Sequence, residues 1–199
     1  MGDSAHDQWT PATGCRPEPS VWRRPPGAGV TIFRIDPHES RVWISGRSSL
    51  HAIDSQSDSL TGMIDIAVAD DGRLDPGPVR ASVEFPVTRL RSSNPLEQRE
   101  LHRRIDAKRF PVIRGEVESI VATHKAAVYT VTGTVSFRGV TQRHSDPMTI
   151  ELDRDGSLRL AGRSTFDIRD YGMEPPRILM LKVEPLVAVR VEIVARPDA

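Results

Sequence analysis

From Thr31 to Val194 the chain alternates apolar and polar residues in short runs broken by turn residues, and a period of two marks a strand with one buried face. Leu60, Gly62, Ile64, Ile66 and Val68 share one phase against Thr61, Asp65 and Ala69. Val79, Ala81, Val83, Phe85 and Val87 likewise stand against Arg80, Ser82, Glu84 and Pro86. Further strands are predicted over Ile113 to Val121, Val128 to Phe137, Met148 to Leu152 and Leu158 to Ile168, with a last long one from Ile178 to Val194. Thr31 to Asp36 and Arg41 to Ser45, joined across Pro37-His38-Glu39, predict a hairpin, and Asp70-Asp71-Gly72 predicts a tight turn. Pro185 has no ladder donor and predicts a bulge, a bend or an edge position within the last strand.

One segment breaks the pattern. Asn94 is a good helix cap, Pro95 suits a first helical turn, and Leu96, Leu101 and Ile105 recur every four to five residues, which predicts a short helix ending before Phe110-Pro111. Many strands with one helix define an all-β antiparallel barrel or sandwich. Residues 1–29 are rich in Pro, Gly, Ser and Arg and show neither period, so a disordered tail is expected there and a barrel domain over residues 30–196. Trp9 and Trp22 in that tail are candidate anchors for a partner or for the barrel mouth.

Charge and motifs narrow the function. The 27 basic residues balance the 27 acidic ones, so no net field favours nucleic acid or an anionic membrane. No apolar run reaches the roughly 20 residues of a membrane-spanning helix, and no basic or apolar leader precedes the domain, which makes a cytoplasmic location the expectation. Cys15 is the single cysteine, so no intrachain disulfide forms. The histidines at 6, 38, 51, 102, 124 and 144 have no local metal-ligand spacing, and no nucleophile elbow, phosphate loop or dinucleotide fingerprint is present. Asp65, Glu84, Glu116, Glu118 and Glu192 fall on the polar phase of strands, where an outer face is expected. No catalytic residue, metal or cofactor is therefore assigned. The enzyme alternative would use His102, Tyr171 or Asp170 as acid or base, and it requires a histidine and a carboxylate to converge in the interior.

The apolar phase carries the binding candidates: Val83, Phe85, Val131, Val135, Phe137, Phe166, Ile168, Val189 and Val191 are expected to face inward. A small barrel either fills that interior or keeps a pocket for one ligand, and the pattern leaves both open.

Four segments in order resemble the YceI-like family. They are Ile35-Asp36-Pro37-His38-Glu39-Ser40, then Arg99-Glu100-Leu101-His102 followed by Phe110-Pro111, then Gly133-Thr134-Val135-Ser136-Phe137-Arg138-Gly139-Val140-Thr141, and lastly Arg169-Asp170-Tyr171-Gly172-Met173. The third is similar to that family's Gly-x-Leu-Thr-x-x-Gly-Val-Thr strand and turn. The resemblance implies a lipocalin-like barrel whose lumen binds an apolar, isoprenoid-like lipid or quinone tail. Arg89, Arg91, Arg138 and Arg169 are then candidates to hold an anionic head. The competing reading is a structural or partner-binding barrel without a cavity, assembled through the tail or the edge near Pro185, with a homodimer as one form.

Overall fold

The computed structural model describes residues 29–49, 52–69, 74–92, 94–175, 177–178 and 181–198. Its strands are β1 (Gly29–Ile35), β2 (Arg41–Ser48), β3 (Ala52–Ser57), β4 (Thr61–Val68), β5 (Leu74–Pro86) and β6 (Arg91–Ser92). After the single helix α1 (Pro95–Ile105) follow β7 (Val112–Ala122), β8 (Val128–Phe137), β9 (Val140–Leu152), β10 (Leu158–Asp167), β11 (Arg177–Ile178) and β12 (Leu181–Pro197). Short 3-10 turns cover Val87–Arg89 and Ile168–Tyr171. Pairing runs β1-β4-β5-β7-β8-β9-β10-β12, and β1 returns to β12 through Phe33 opposite Pro197 and Ile35 opposite Ala195. The result is a closed, antiparallel, eight-stranded barrel.

The first hairpin predicted from sequence does not form. β1 and β2 both pair antiparallel with β12, one after the other along the same edge: Ile35 sits opposite Ala195, and Arg41 opposite Glu192. They are one barrel strand with a kink at Asp36–Ser40, and the chain does not reverse there. Ser40 locks the kink, because its buried Oγ accepts from the Val194 amide (3.1 Å) and lies 3.3 Å from the Val194 carbonyl. Asp36 accepts from the His38 amide at 2.8 Å, an Asx turn that satisfies the backbone inside the kink. β3 and β4 form a second broken strand, paired to β2 and β1 respectively.

Other expectations hold in modified form. Asn94 caps α1 by accepting from the Leu96 amide at 2.9 Å, and Pro95 opens the helix. Pro185 lies where the β12–β2 register shifts, between Val183 opposite Ser48 and Val187 opposite Gly46, which is a bulge. The long last strand is two, since β11 pairs back onto the start of β12. The strand expected to reach Ile168 ends at Asp167. The residues of the Asp70-Asp71-Gly72 turn and of the tail before Gly29 lie outside the described residues, as do Cys15, Trp9 and Trp22.

Two apolar clusters pack the barrel. The larger joins Phe33, Ile35, Val42, Leu60, Ile64, Ile66, Ile150, Leu158 and Ile193 with their neighbours, and Leu158 is fully buried. The smaller gathers Val87, Leu90, Ile105 and Ala107 beside α1, and Leu101, Phe85, Ile113 and Phe137 pack against it. His102 Nε2 lies 2.9 Å from the Leu90 carbonyl and ties the helix to this cluster.

Candidate functional site

The barrel interior is the candidate site. Register fixes which residues face it: Val83 is opposite Gly115, Gly115 opposite Val135, and Val135 opposite Gln142. Val131 is opposite Ile120 and Asp146, and Val189 is opposite Ser164 and Ile44. Val191 lies between Gly162 and Val42, and Phe166 is opposite Val187. Because a pleat puts every second side chain on one face, Val83, Phe85, Val131, Val135, Phe137, Phe166, Val189 and Val191 form one inner wall. All eight are half-buried, unlike the fully packed residues of the two clusters. Ile168, the ninth candidate, belongs to the 3-10 turn beyond β10 and has no strand face.

Several inward positions carry little or no side chain. Gly46, Gly115, Gly133 and Gly162 face the interior, as do Ala81, Ser55 and Ser164. Gly133 has a backbone reason as well, since a Cβ there would sit 2.2 Å from the Glu116 carbonyl oxygen. At Gly46 the nearest side-chain atom, Val187 Cγ1, would be 3.7 Å from an added Cβ, so that position is small without being crowded.

Polar groups enter the interior along one seam. β9 pairs β10 only from Met148–Leu152 to Leu158–Gly162, although both strands continue toward the helix end. Beyond Gly162 side chains replace the ladder. The Ser164 hydroxyl donates to Asp146 Oδ2 at 2.8 Å, His144 Nε2 lies 2.9 Å from the Tyr171 hydroxyl, and the Gln142 amide donates to the Asp170 carbonyl at 3.0 Å. The His144 ring packs on Phe166 at 4.5 Å, and Tyr171 lies 5.9 Å from Phe137. Burial, helped by the nearby Asp170 carboxylate, pushes the Tyr171 phenol up to about 12, so it stays a neutral hydrogen-bonding group at ordinary pH.

Sequence reasoning missed Gln142, His144 and Asp146 because it began this strand at Met148. The run from Thr141 to Pro147 is polar in both phases, so no alternation marks it. The available signal was the phase itself: stepping back by twos from Ile150 and Met148 reaches Asp146, His144 and Gln142.

Of the candidate acids and bases, Tyr171 and Asp170 lie at this seam, whereas His102 and the head-group arginines stand elsewhere. His102 is engaged with backbone, and among the described residues no histidine side chain hydrogen-bonds a carboxylate. No group of metal-ligating side chains assembles among the described residues. Arg89 is exposed in a 3-10 turn, Arg169 forms a bidentate pair with Asp167, and Arg138 donates to the Gly172 carbonyl. Arg91 faces outward opposite Gln56. Three of the five carboxylates expected on the outer face form ion pairs: Glu84 with Arg114, Glu118 with Arg143 and Glu192 with Arg190.

A concavity of about 640 Å³ is lined by Trp43, Asp54, Gln56, Arg91, Arg163 and Arg190 of the outer phase together with Ser55, Ser92 and Val189 of the inner one. Its floor is a cross-strand row: Arg163 opposite Arg190, Arg190 opposite Trp43, Trp43 opposite Gln56, Gln56 opposite Arg91. The Arg190 guanidinium stacks 4.7 Å above the Trp43 ring.

Eight closed antiparallel strands, a helix over one end and an apolar inner wall define a lipocalin-like barrel. The chain belongs to the YceI-like domain family, whose model matches residues 33–195. Among solved structures it is similar to BcnA of Burkholderia cenocepacia, with a TM-score of 0.66 at 12% identity over 80% of this chain and 98% of that one. A polyisoprenoid binding domain from Saccharophagus degradans, implicated in plant cell wall breakdown, gives 0.65 at 10% identity over 85% and 100%. The Campylobacter jejuni YceI protein gives 0.56 at 14% identity over 73% and 84%. No curated protein matches the sequence. No helix among the described residues is long and apolar enough to cross a membrane.

Proposed function

We propose that this barrel is a non-catalytic carrier that holds an apolar, isoprenoid-like or quinone-like chain in its lumen. One observation carries the reading: eight apolar side chains on the inward phase of the strands are half-buried rather than buried, as the lining of an incompletely filled interior is. An eight-stranded barrel is wide enough for one such ligand, and burying methylene surface contributes about 25 cal/mol per Å². The similar Saccharophagus degradans domain, described as polyisoprenoid binding, supports the ligand class.

Mass spectrometry of organic extracts from purified protein tests the reading. A copurifying isoprenoid is the expected result, and Val135→Trp, which fills the lumen opposite Gly115, should abolish it while far-UV circular dichroism stays unchanged. Equal recovery from wild type and Val135→Trp would overturn lumen binding.

A second reading, a partner-binding barrel, draws on the outer groove. Arg163 and Arg190 stand directly opposite one another there, Arg190 paired with Glu192, and with Arg91 they give the groove a basic character suited to an anionic surface. Arg163→Glu should then weaken capture of an acidic partner; an unchanged oligomeric state and partner profile would remove this reading.

A further inference from the structure

Within the inner wall, polarity is confined and unbalanced in sign. Gln142, His144 and Asp146 follow one another along β9, with Ser164 facing them from β10. Asp146 is the one carboxylate among these groups, and its hydrogen bond among the described residues is the one from Ser164 to Oδ2. That leaves Oδ1 with acceptor capacity. Ser57 on β3 also has an inward position, opposite Val42; it is 2% exposed, and its Oγ has no hydrogen-bond partner. A buried hydroxyl left without a partner is costly and marks a place where a ligand group or a water completes the structure. No lysine or arginine among the described residues occupies an inward strand position: the inward phase of β8, β9, β10 and β12 reads Tyr129, Val131, Gly133, Val135, Phe137, then Gln142, His144, Asp146, Met148, Ile150, then Leu158, Leu160, Gly162, Ser164, Phe166, then Val187, Val189, Val191, Ile193. The arginines near the helix end hold no inward strand position: Arg169 pairs with Asp167, and Arg138 lies half-buried in the β8–β9 turn over Phe110, its Nη1 donating to the Gly172 carbonyl.

We propose that the lumen selects ligands whose polar end is an uncharged hydroxyl donor, an alcohol, phenol or hydroquinone, and discriminates against phosphorylated ends, with Asp146 as the specificity-determining residue. This rests on the lumen-binding reading and adds the chemistry of the head. A hydroxyl donating to a carboxylate makes a charge-assisted hydrogen bond, stronger than its neutral counterpart. A phosphate brought to the same wall meets a like charge at reduced dielectric with no lysine or arginine at an inward strand position beside it, and like charges in such surroundings repel strongly. The tail then lies along the apolar wall of Val83, Val131, Val189 and Val191.

Displacement of the fluorescent apolar probe N-phenyl-1-naphthylamine from the full chain tests this, using geranylgeraniol, geranylgeranyl monophosphate and the saturated hydrocarbon phytane. The alcohol should displace the probe at a concentration at least tenfold below that of the phosphate. Asp146→Asn, which is isosteric and keeps an acceptor for Ser164, should narrow that ratio at least threefold while leaving phytane unchanged. A phosphate that displaces as well as the alcohol, or a ratio indifferent to Asp146→Asn, overturns the proposal while lumen binding stands. Failure of all three compounds to displace a bound probe overturns lumen binding by isoprenoids, and the head-group assignment with it.

Discussion

At the scale of single residues, two glycines of the same wall have opposite expected sensitivities. A Cβ at Gly133 would meet the Glu116 carbonyl carbon and oxygen, both backbone atoms that cannot rotate away, whereas at Gly46 it would make an ordinary contact with Val187. Gly133→Ala should therefore cost about 3 kcal/mol or more, and Gly46→Ala under about 1 kcal/mol, measured by urea titration. Tyr171 gives a pH signature. Its folded phenol titrates higher than an unfolded one, so the stability it contributes is fully present below about pH 10 and is lost as pH rises toward about 12. Tyr171→Phe should flatten the alkaline fall in melting temperature across that window; an unchanged profile would place the loss elsewhere. Of the site, eight inward apolar residues were legible in the sequence because alternation assigns a face. The polar stripe was not, because a strand polar on both faces has no period to read, and its partners Ser164 and Tyr171 are distant in sequence.

Elements follow from local chemistry only where they close on themselves. Helix α1 was legible to within a residue because Asn94, Pro95 and the apolar spacing act within the helix itself, and Asn94→Ala should cost about 1 kcal/mol in thermal or urea unfolding. The β8–β9 turn was equally local: Arg138 and Gly139 both have positive φ, as a tight hairpin turn demands. By contrast Pro37-His38-Glu39 looks like a hairpin turn, yet the chain continues in the same direction, because β12, more than 150 residues away, holds both flanking strands. No local signal encodes that. Ser40 is the visible trace of it, and Ser40→Ala, which leaves the Val194 amide without its acceptor, should cost about 1–3 kcal/mol with an unchanged denaturant slope. β3 went unread because Ala52–Ser57 is mostly polar and owes its pairing to β2 on one side and to the two residues of β6 on the other.

For the molecule as a whole, the all-β class and the barrel were legible from repeated alternation, while closure depends on β1 meeting β12, a contact between the two ends of the domain. The barrel wall is not uniformly stitched. Five residue pairs join β9 to β10, and from Arg163 onward three side-chain hydrogen bonds span the remaining length. Such a slit opens at lower free energy than a backbone ladder. Amide exchange along Arg163–Asp167 should consequently alternate, fast at the positions directed to β9 and slow at those bonded to β12; uniform protection would mean that the slit stays shut. A long tail sliding sideways through it would part those three bonds and the His144–Phe166 contact while leaving every backbone ladder of the barrel intact.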